Sequence, residues 1–470
     1  MKTLIQLALL LCISFAALGQ ATHLVFINFS QNTPVGKLPG FNVYAADSSG
    51  RQVLSIYTVT LSAPKISGTL TATSTATGAA WFGNVTIGEP ETITASSPGL
   101  TSATINIGVP PPPVGTVVPA NYFGMHVLSF QQTPAPITFA TARSWDATNY
   151  YGKGPDWADT NPSPGVFNWT AFDEYMLQMQ GKDVVYDLGR TPLWASTNPT
   201  SLSSYGPGQA APPTDAAWQA WVKALVAHAG TRIYYEIWNE PNYSGTWNGT
   251  VPQMAQMATE AYAIIHTAQP SAIVLSPAAA GTPGIAWMQQ FVDCGGAFDV
   301  LSFHGYTYPA GIAEGELTLV NGYKPLAAGK PMWDTEAGWN STTLTVPQEQ
   351  SFLAKAYLLQ FPAVSRFIWY AYDGSPQWGQ MWTSAGQNAV ATAYAQVQSW
   401  MVGSTMTPCV LASGVYTCQL GNKEAVWIAG STSTVPAGSF TQYRDLNGFI
   451  HPITTTTVPI GDSPILLESQ

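Results

Sequence analysis

The sequence predicts a multidomain chain: a (β/α)8 TIM barrel at residues 119–403, preceded by a β-sandwich at 20–108 and followed by a small C-terminal β-domain at 404–470. Three observations predict it. At 470 residues the chain exceeds one ordinary domain and has room for about three cores. Through the centre, strand-like and helix-like segments alternate eight times over about 285 residues, the size of such a barrel. On either side the helical pattern stops, and short alternating runs separated by turn residues replace it.

The chain opens with Lys2, a mostly apolar stretch at 4–18 and the small-residue run Ala17-Leu18-Gly19 before Gln20. This reads as a secretory signal peptide, 1–19, with the mature protein exported to the periplasm or the medium. The stretch is short for a membrane span, and no later segment holds some 18 unbroken apolar residues, so no integral membrane segment is expected. Residues 20–108 are Thr/Ser/Gly-rich, with alternating runs at 53–61, 83–87 and 92–95, the spacing of an all-β sandwich. Four prolines at 110–113 form the core of a linker, 109–118, whose extended helix spans roughly 12 Å.

In the barrel region the expected strands are 122–127, 138–145, 183–188, 232–238, 272–277, 298–304, 331–336 and 367–372. Helical periodicity separates most of them. Residues 215–229 place Trp218, Val222, Leu225 and Ala229 on one face, and 348–359 do the same with Phe352, Leu353, Ala356 and Leu359. The first connection is short and proline-rich, and is the weakest link in the count. Beyond Gly403, strands are expected at 415–420, 425–429, 440–444 and 458–467. Cys409 and Cys418 bracket VLASGVYT, where Ser413-Gly414 as a two-residue hairpin loop would oppose the two sulfurs, so a disulfide is expected. Cys294 is left over, a buried thiol with no neighbouring histidine in sequence.

A charged fraction of 9% and a formal net charge of -10 lack the basic footprint that nucleic acid requires. Seventeen tryptophans suit a different partner: an indole covers the C–H face of a sugar while amides and carboxylates bond its hydroxyls. Histidines 23, 126, 228, 266, 304 and 451 are scattered without ligand spacing, so neither a metal nor a cofactor is expected.

The chemistry gathers at strand ends, where a barrel presents its side chains to the mouth. IYYEIWNEPN (233–242) runs from a strand into Asn239-Glu240-Pro241, with Trp238 and Tyr243 alongside. A carboxyl group there is suited to protonating a leaving oxygen. Glycosidic cleavage needs a second carboxylate, and KPMWDTEAGWN (330–340) offers Glu336 at the end of strand seven, with Trp333 and Trp339 close by. Asp334, two residues back, is expected to point the same way but deeper, as a reserve candidate.

These two segments resemble the acid/base and nucleophile segments of clan A glycoside hydrolases, the retaining barrel enzymes. The resemblance covers roughly 119–470 and is closest to family 39-like proteins, best known for β-xylosidase activity, with relatives that cleave other glycosides and exopolysaccharides. It implies Glu240 as acid/base and Glu336 as nucleophile, with the nucleophile's charge raising the proton affinity of its neighbour. Asn239 would bond the sugar 2-hydroxyl. In SFHGYTY (302–308) Tyr306 would orient Glu336 and His304 would contact substrate. Arg143 in ARSWD (142–146) would hold the nucleophile ionised. Trp369 in RFIWYAYD (366–373), His126 in FGMHV (123–127) and Trp194 in GRTPLWAS (189–196) would line sugar subsites. The front module's 78–109 stretch is similar to the closing strands of bacterial immunoglobulin-like repeats, which implies a spacer or weakly adhesive role. The expected partner is a polysaccharide or oligosaccharide. A non-catalytic carbohydrate-binding or adhesive protein and a transglycosidase are the alternatives.

Overall fold

The computed structural model describes residues 20–27, 33, 35–75, 78–107, 115–130, 137–307 and 311–469. The expected signal peptide and the four-proline run lie outside the described residues. The chain divides into two compact units, Met1–Val114 and Gly115–Gln470.

Among the described residues the first unit has three antiparallel sheets around one core of Leu24, Phe41, Val43, Leu61, Phe82, Ile87 and Ile93. Period-two alternation makes it. Strand Thr58–Ser62 buries Val59 and Leu61 and exposes three hydroxyl residues between and beside them, so one face packs and the other is solvated. The run expected at 53–61 is a strand only from Thr58 onward. Strands Val85–Ile87 and Glu91–Ser96 fall within two residues of expectation.

All eight expected barrel strands are present in the second unit, mostly shorter than expected: Phe123–His126, Thr141–Arg143, Asp183–Asp187, Tyr234–Glu236, a fifth in two pieces, Leu301–His304, Met332–Ala337 and Arg366–Trp369. They pair in parallel, and strand one pairs with strand eight. The fifth splits into Val274–Leu275, paired with strand four, and Ala279–Ala280, paired with strand six. Pro277 lies in the gap, and a proline has no N–H to give to a ladder. Single bridges Asn239↔Ala278 and Leu275↔Val300 carry the pairing past the break.

Helices follow strands two to eight; among the described residues none lies between strands one and two, where the sequence is proline-rich. Helix Asp215–Ala229 starts where Thr214 accepts the Ala217 N–H and buries the predicted face. Helix Val346–Gln360 begins two residues earlier than expected because Thr345 and Gln348 form a capping box with proline in the first turn.

Alternation along the strands stacks the barrel interior in layers. At the bottom Arg366 pairs with Asp183 and lies over Tyr234 and Trp333. Val185, Leu275, Val300 and Ile368 form an apolar middle with Trp333. The top layer, nearest the C-terminal mouth, is polar: Arg143, Asp187, Glu236, Ser302 and Thr335, all buried.

Most of the C-terminal strands form an antiparallel sheet that also recruits Thr116–Val117, paired with Thr405–Met406, while Ser433–Pro436 and Thr457–Ile460 pair separately. The tail of the expected linker is therefore a strand. The run expected at 458–467 is two strands, Thr457–Ile460 and Ile465–Glu468, interrupted by Gly461-Asp462-Ser463-Pro464, a turn-forming sequence. Ser413 and Gly414 both have positive φ, 51° and 82°, as a type I′ turn requires. The register sets Cys409 opposite Cys418, their Cα atoms 4.2 Å apart, and the disulfide is formed. Cys294 stands outside any disulfide and is half-buried rather than buried. Lys355, buried in helix Val346–Gln360, joins Glu314 and Asp462, while Trp427 of the sheet donates its indole N–H to Glu314. Each buried charge thereby has a partner.

Candidate active site

The backbone makes two departures from regular strand geometry at the barrel mouth, and each aims a glutamate. In strand seven, Trp333 and Thr335 face the interior, while Asp334 faces the helices and accepts hydrogen bonds from Gln360 Nε2 and the Gly305 N–H. Simple alternation would send Glu336 outward as well. The pairing with strand six instead runs Phe303↔Asp334 and then His304↔Glu336, and this bulge returns Glu336 to the mouth. The same parity overturns the expectation for Asp334, which does not lie beneath Glu336 in the barrel. After strand four the chain turns at Glu240, whose φ of 46° is left-handed and costs an L-residue roughly 1–2 kcal/mol. Its N–H bonds Ala278 O, and its carbonyl accepts from Tyr243 N and Thr246 Oγ1.

The two glutamates meet in a cavity of about 480 Å3 whose lining includes Trp145, Asp146, Asn239, Tyr243, Tyr306 and Tyr370. A carboxylate oxygen of Glu240, a ring nitrogen of His304 and a carboxylate oxygen of Glu336 all lie within 4.8 Å of one another. That spacing could hold a cation. Arg143 Nη1, 2.7 Å from Glu336 Oε2, already supplies a fixed positive charge there and opposes a second.

Arg143 organises the site. Its Nε donates to Glu236 Oε2 at 2.6 Å, Nη1 to Glu336, and Nη2 to Asn239 Oδ1 at 2.9 Å and Asp187 Oδ2 at 3.4 Å. Burial opposes the guanidinium charge, but Glu236, Glu336 and Asp187 more than restore it and hold its pKa above the ordinary value. Glu236 is fixed in turn by the Ser302 and Thr335 hydroxyls at 2.6 and 2.7 Å. The resemblance gave Arg143 one partner, Glu336. Glu236 and Asp187 were missed, although each sits on the inward parity of its strand. Burial, with Glu236 second, pushes Asp187 well above the usual carboxylate range.

The glutamates have different surroundings. Tyr306 OH donates to Glu336 Oε1 at 2.8 Å. Burial raises the Glu336 pKa, and His304 and Arg143 oppose that rise. Glu240 is pushed up to about 7 by burial, with Arg143 pulling the other way; desolvation, not the neighbouring charge, is the principal cause. His304 is wholly buried, lies 2.9 Å from Glu240 Oε1 through Nδ1 and is driven down to about 4 by burial. Because a guanidinium only donates, its contact with Asn239 fixes the amide oxygen inward and leaves the NH2 for the cavity.

Several expected subsite residues sit elsewhere. Trp369 is buried on the outward parity of strand eight, donating to Gly379 O and packing on Trp339. Tyr370, one residue on, lines the cavity, with Trp378 from the following loop. His126 is fully buried, bonded to Thr335 O at 3.0 Å and lying against the Tyr370 ring, and burial drives its pKa down. It supports the wall rather than touching the cavity. Trp194 donates to Asn161 O at 2.8 Å and packs against the core, away from the cavity lining. His304 is fully buried beside the glutamates, Nδ1 2.9 Å from Glu240 and Nε2 3.9 Å from Glu336, and is not among the residues lining the cavity. A larger hollow of about 650 Å3 lies outside the barrel between helices Asp215–Ala229 and Val251–Ala268, lined mainly by Ala, Ile, Val and Thr with no carboxylate.

Residues 194–394 match the family model described as glycosyl hydrolase catalytic core. No curated protein matches the chain in sequence. Among solved structures, a family 39 glycoside hydrolase from the gut symbiont Bacteroides cellulosilyticus WH2 superposes with a TM-score of 0.61 at 17% identity, covering 93% of this chain and 98% of that one. A monomeric β-xylosidase from Caulobacter crescentus CB15 gives 0.54 at 14% identity, covering 76% and 98%. A glucosidase from Croceicoccus marinus gives 0.50 at 15%, covering 74% and 82%. At these identities the likeness is one of fold.

Proposed function

We propose that this chain is a secreted, retaining glycoside hydrolase of the family 39-like kind that cleaves β-glycosidic bonds in a polysaccharide or oligosaccharide. The observation that carries it is the approach of a Glu240 and a Glu336 oxygen within 4.8 Å, in environments that divide their labour. Retaining enzymes keep the two carboxyl groups about 5–5.5 Å apart, whereas inverting enzymes hold them about 6.5–9.5 Å apart to seat a water. Glu336, beside Arg143 and Tyr306, is the nucleophile. Glu240, with its pKa pushed up to about 7, is the acid that protonates the leaving oxygen.

Attack by Glu336 on the anomeric carbon breaks the glycosidic bond and forms a glycosyl ester, while the Glu240 proton goes to the departing oxygen. With its proton gone, Glu240 takes one from water, and the hydroxide releases the sugar with its original configuration. Asn239 NH2 serves the 2-hydroxyl. The Cys409–Cys418 disulfide suits the oxidising compartment that export would reach, and the front unit is read as an immunoglobulin-like spacer. NMR of the first-formed hemiacetal from an aryl β-glycoside tests the mechanism: a β-product is expected, and an α-product removes Glu336 as nucleophile.

A further inference from the structure

The glutamate pair accounts for bond cleavage and leaves one cavity wall, Trp145, Asp146, Tyr205 and Tyr370, without a role. Asp146 follows strand two by three residues. Its backbone is left-handed, φ 59°, a conformation that Asp tolerates better than most residues. The turn closes through Ala147 N–H to Ser144 O at 3.2 Å. The side chain opens to the cavity yet is crowded by its walls, and burial pushes its pKa up to about 6. Among the described residues the Tyr370 hydroxyl, 3.3 Å from Oδ2, is its one hydrogen-bond donor. A carboxylate has about four acceptor positions, so the single bond from Tyr370 leaves Asp146 able to accept from substrate hydroxyls.

The cations nearby are already committed. Arg190 pairs with Asp156 at 2.6 Å, and Arg143 is held by Glu236, Glu336 and Asp187. Asp146 shares the cavity lining with Asn239, Glu240 and Glu336, so a sugar bound at the glutamate pair lies within its surroundings.

Building on the hydrolase reading, we propose that Asp146 is a substrate-binding residue that accepts hydrogen bonds from hydroxyls of the glycone, selecting uncharged sugars and rejecting uronic acids. A hydroxyl donates to the carboxylate. A uronate would instead bring a further negative charge to a cavity lined by Asp146, Glu240 and Glu336.

The test measures kcat/KM for wild type, Asp146→Asn and Asp146→Ala on 4-nitrophenyl β-xyloside and β-glucoside, the 3- and 4-deoxy glucosides, and the β-glucuronide. In wild type, deleting the bonded hydroxyl should cost about 10- to 100-fold, the range of a hydrogen bond to a charged group. Asp146→Ala should lose a similar factor on the parent and little more on the deoxy sugar. Asp146→Asn, which keeps the shape, should narrow the gap between glucoside and glucuronide by at least tenfold. Additive losses, or wild-type preference for the glucuronide, overturn the proposal alone. Absence of wild-type turnover on every glycoside overturns the hydrolase reading and this proposal with it.

Discussion

Glu240 at φ 46° shows how one residue's backbone supports chemistry: a left-handed turn swings a carboxyl group into a desolvated pocket, and desolvation supplies the proton affinity an acid catalyst needs. With its pKa near 7, Glu240 loses its proton as pH rises through that value. The alkaline limb of kcat/KM should therefore fall with an apparent pKa near 7, and Glu240→Gln should abolish that limb; a limb that persists in the variant counts against the assignment. Glu240→Ala should slow poor leaving groups by about 10²–10⁴-fold and activated ones far less. Azide should rescue turnover on an activated substrate and give a β-glycosyl azide. Near wild-type cleavage of both substrate kinds would remove Glu240 as the acid. Asn239, Glu240, Tyr306, Glu336 and Arg143, which the structure gathers at the barrel mouth, could be picked out in sequence because each lies at or just beyond a strand end within a distinctive run. Trp369 was misplaced by one position, since strand parity cannot be counted until the pairing is known.

At the level of elements, the mouth layer is a network in which one guanidinium bonds three buried acids, Glu236, Glu336 and Asp187. Arg143→Met should destabilise the second unit by about 3–5 kcal/mol, the usual result of stripping a buried charge of its partner. Denaturant unfolding measures it, and a loss under about 1 kcal/mol would mean the acids simply protonate. In the C-terminal sheet, replacing Cys409 and Cys418 with serine reopens a loop with a sequence separation of 9. The chain-entropy relation puts the loss near 2–3 kcal/mol, and an unchanged transition midpoint would mean the type I′ turn alone holds the hairpin. The hairpin was readable because turn, register and cysteine spacing are all local. The break in strand five was signalled by Pro277, but the bulge at Glu336 had no local signal.

For the molecule as a whole, each of the two units has its own core. A chain beginning at Gly115 should fold and turn over a small aryl glycoside with kcat within about twofold of the full chain, since a unit with its own core folds alone. Loss of its thermal transition would show that the front unit is needed for stability. By itself, the sequence determined the alternation that builds the barrel, the flanking β-modules, the hairpin disulfide and the two glutamates, because these depend on periodicity and on short runs of neighbouring residues. Only the tertiary structure decided that Glu236 and Asp187 share Arg143, that Asp334 faces the helices, that Tyr370 and Asp146 form the cavity wall, and that burial raises Glu240. Those facts depend on which side chains from distant strands meet and how much water they exclude, quantities that exist only once the barrel has closed.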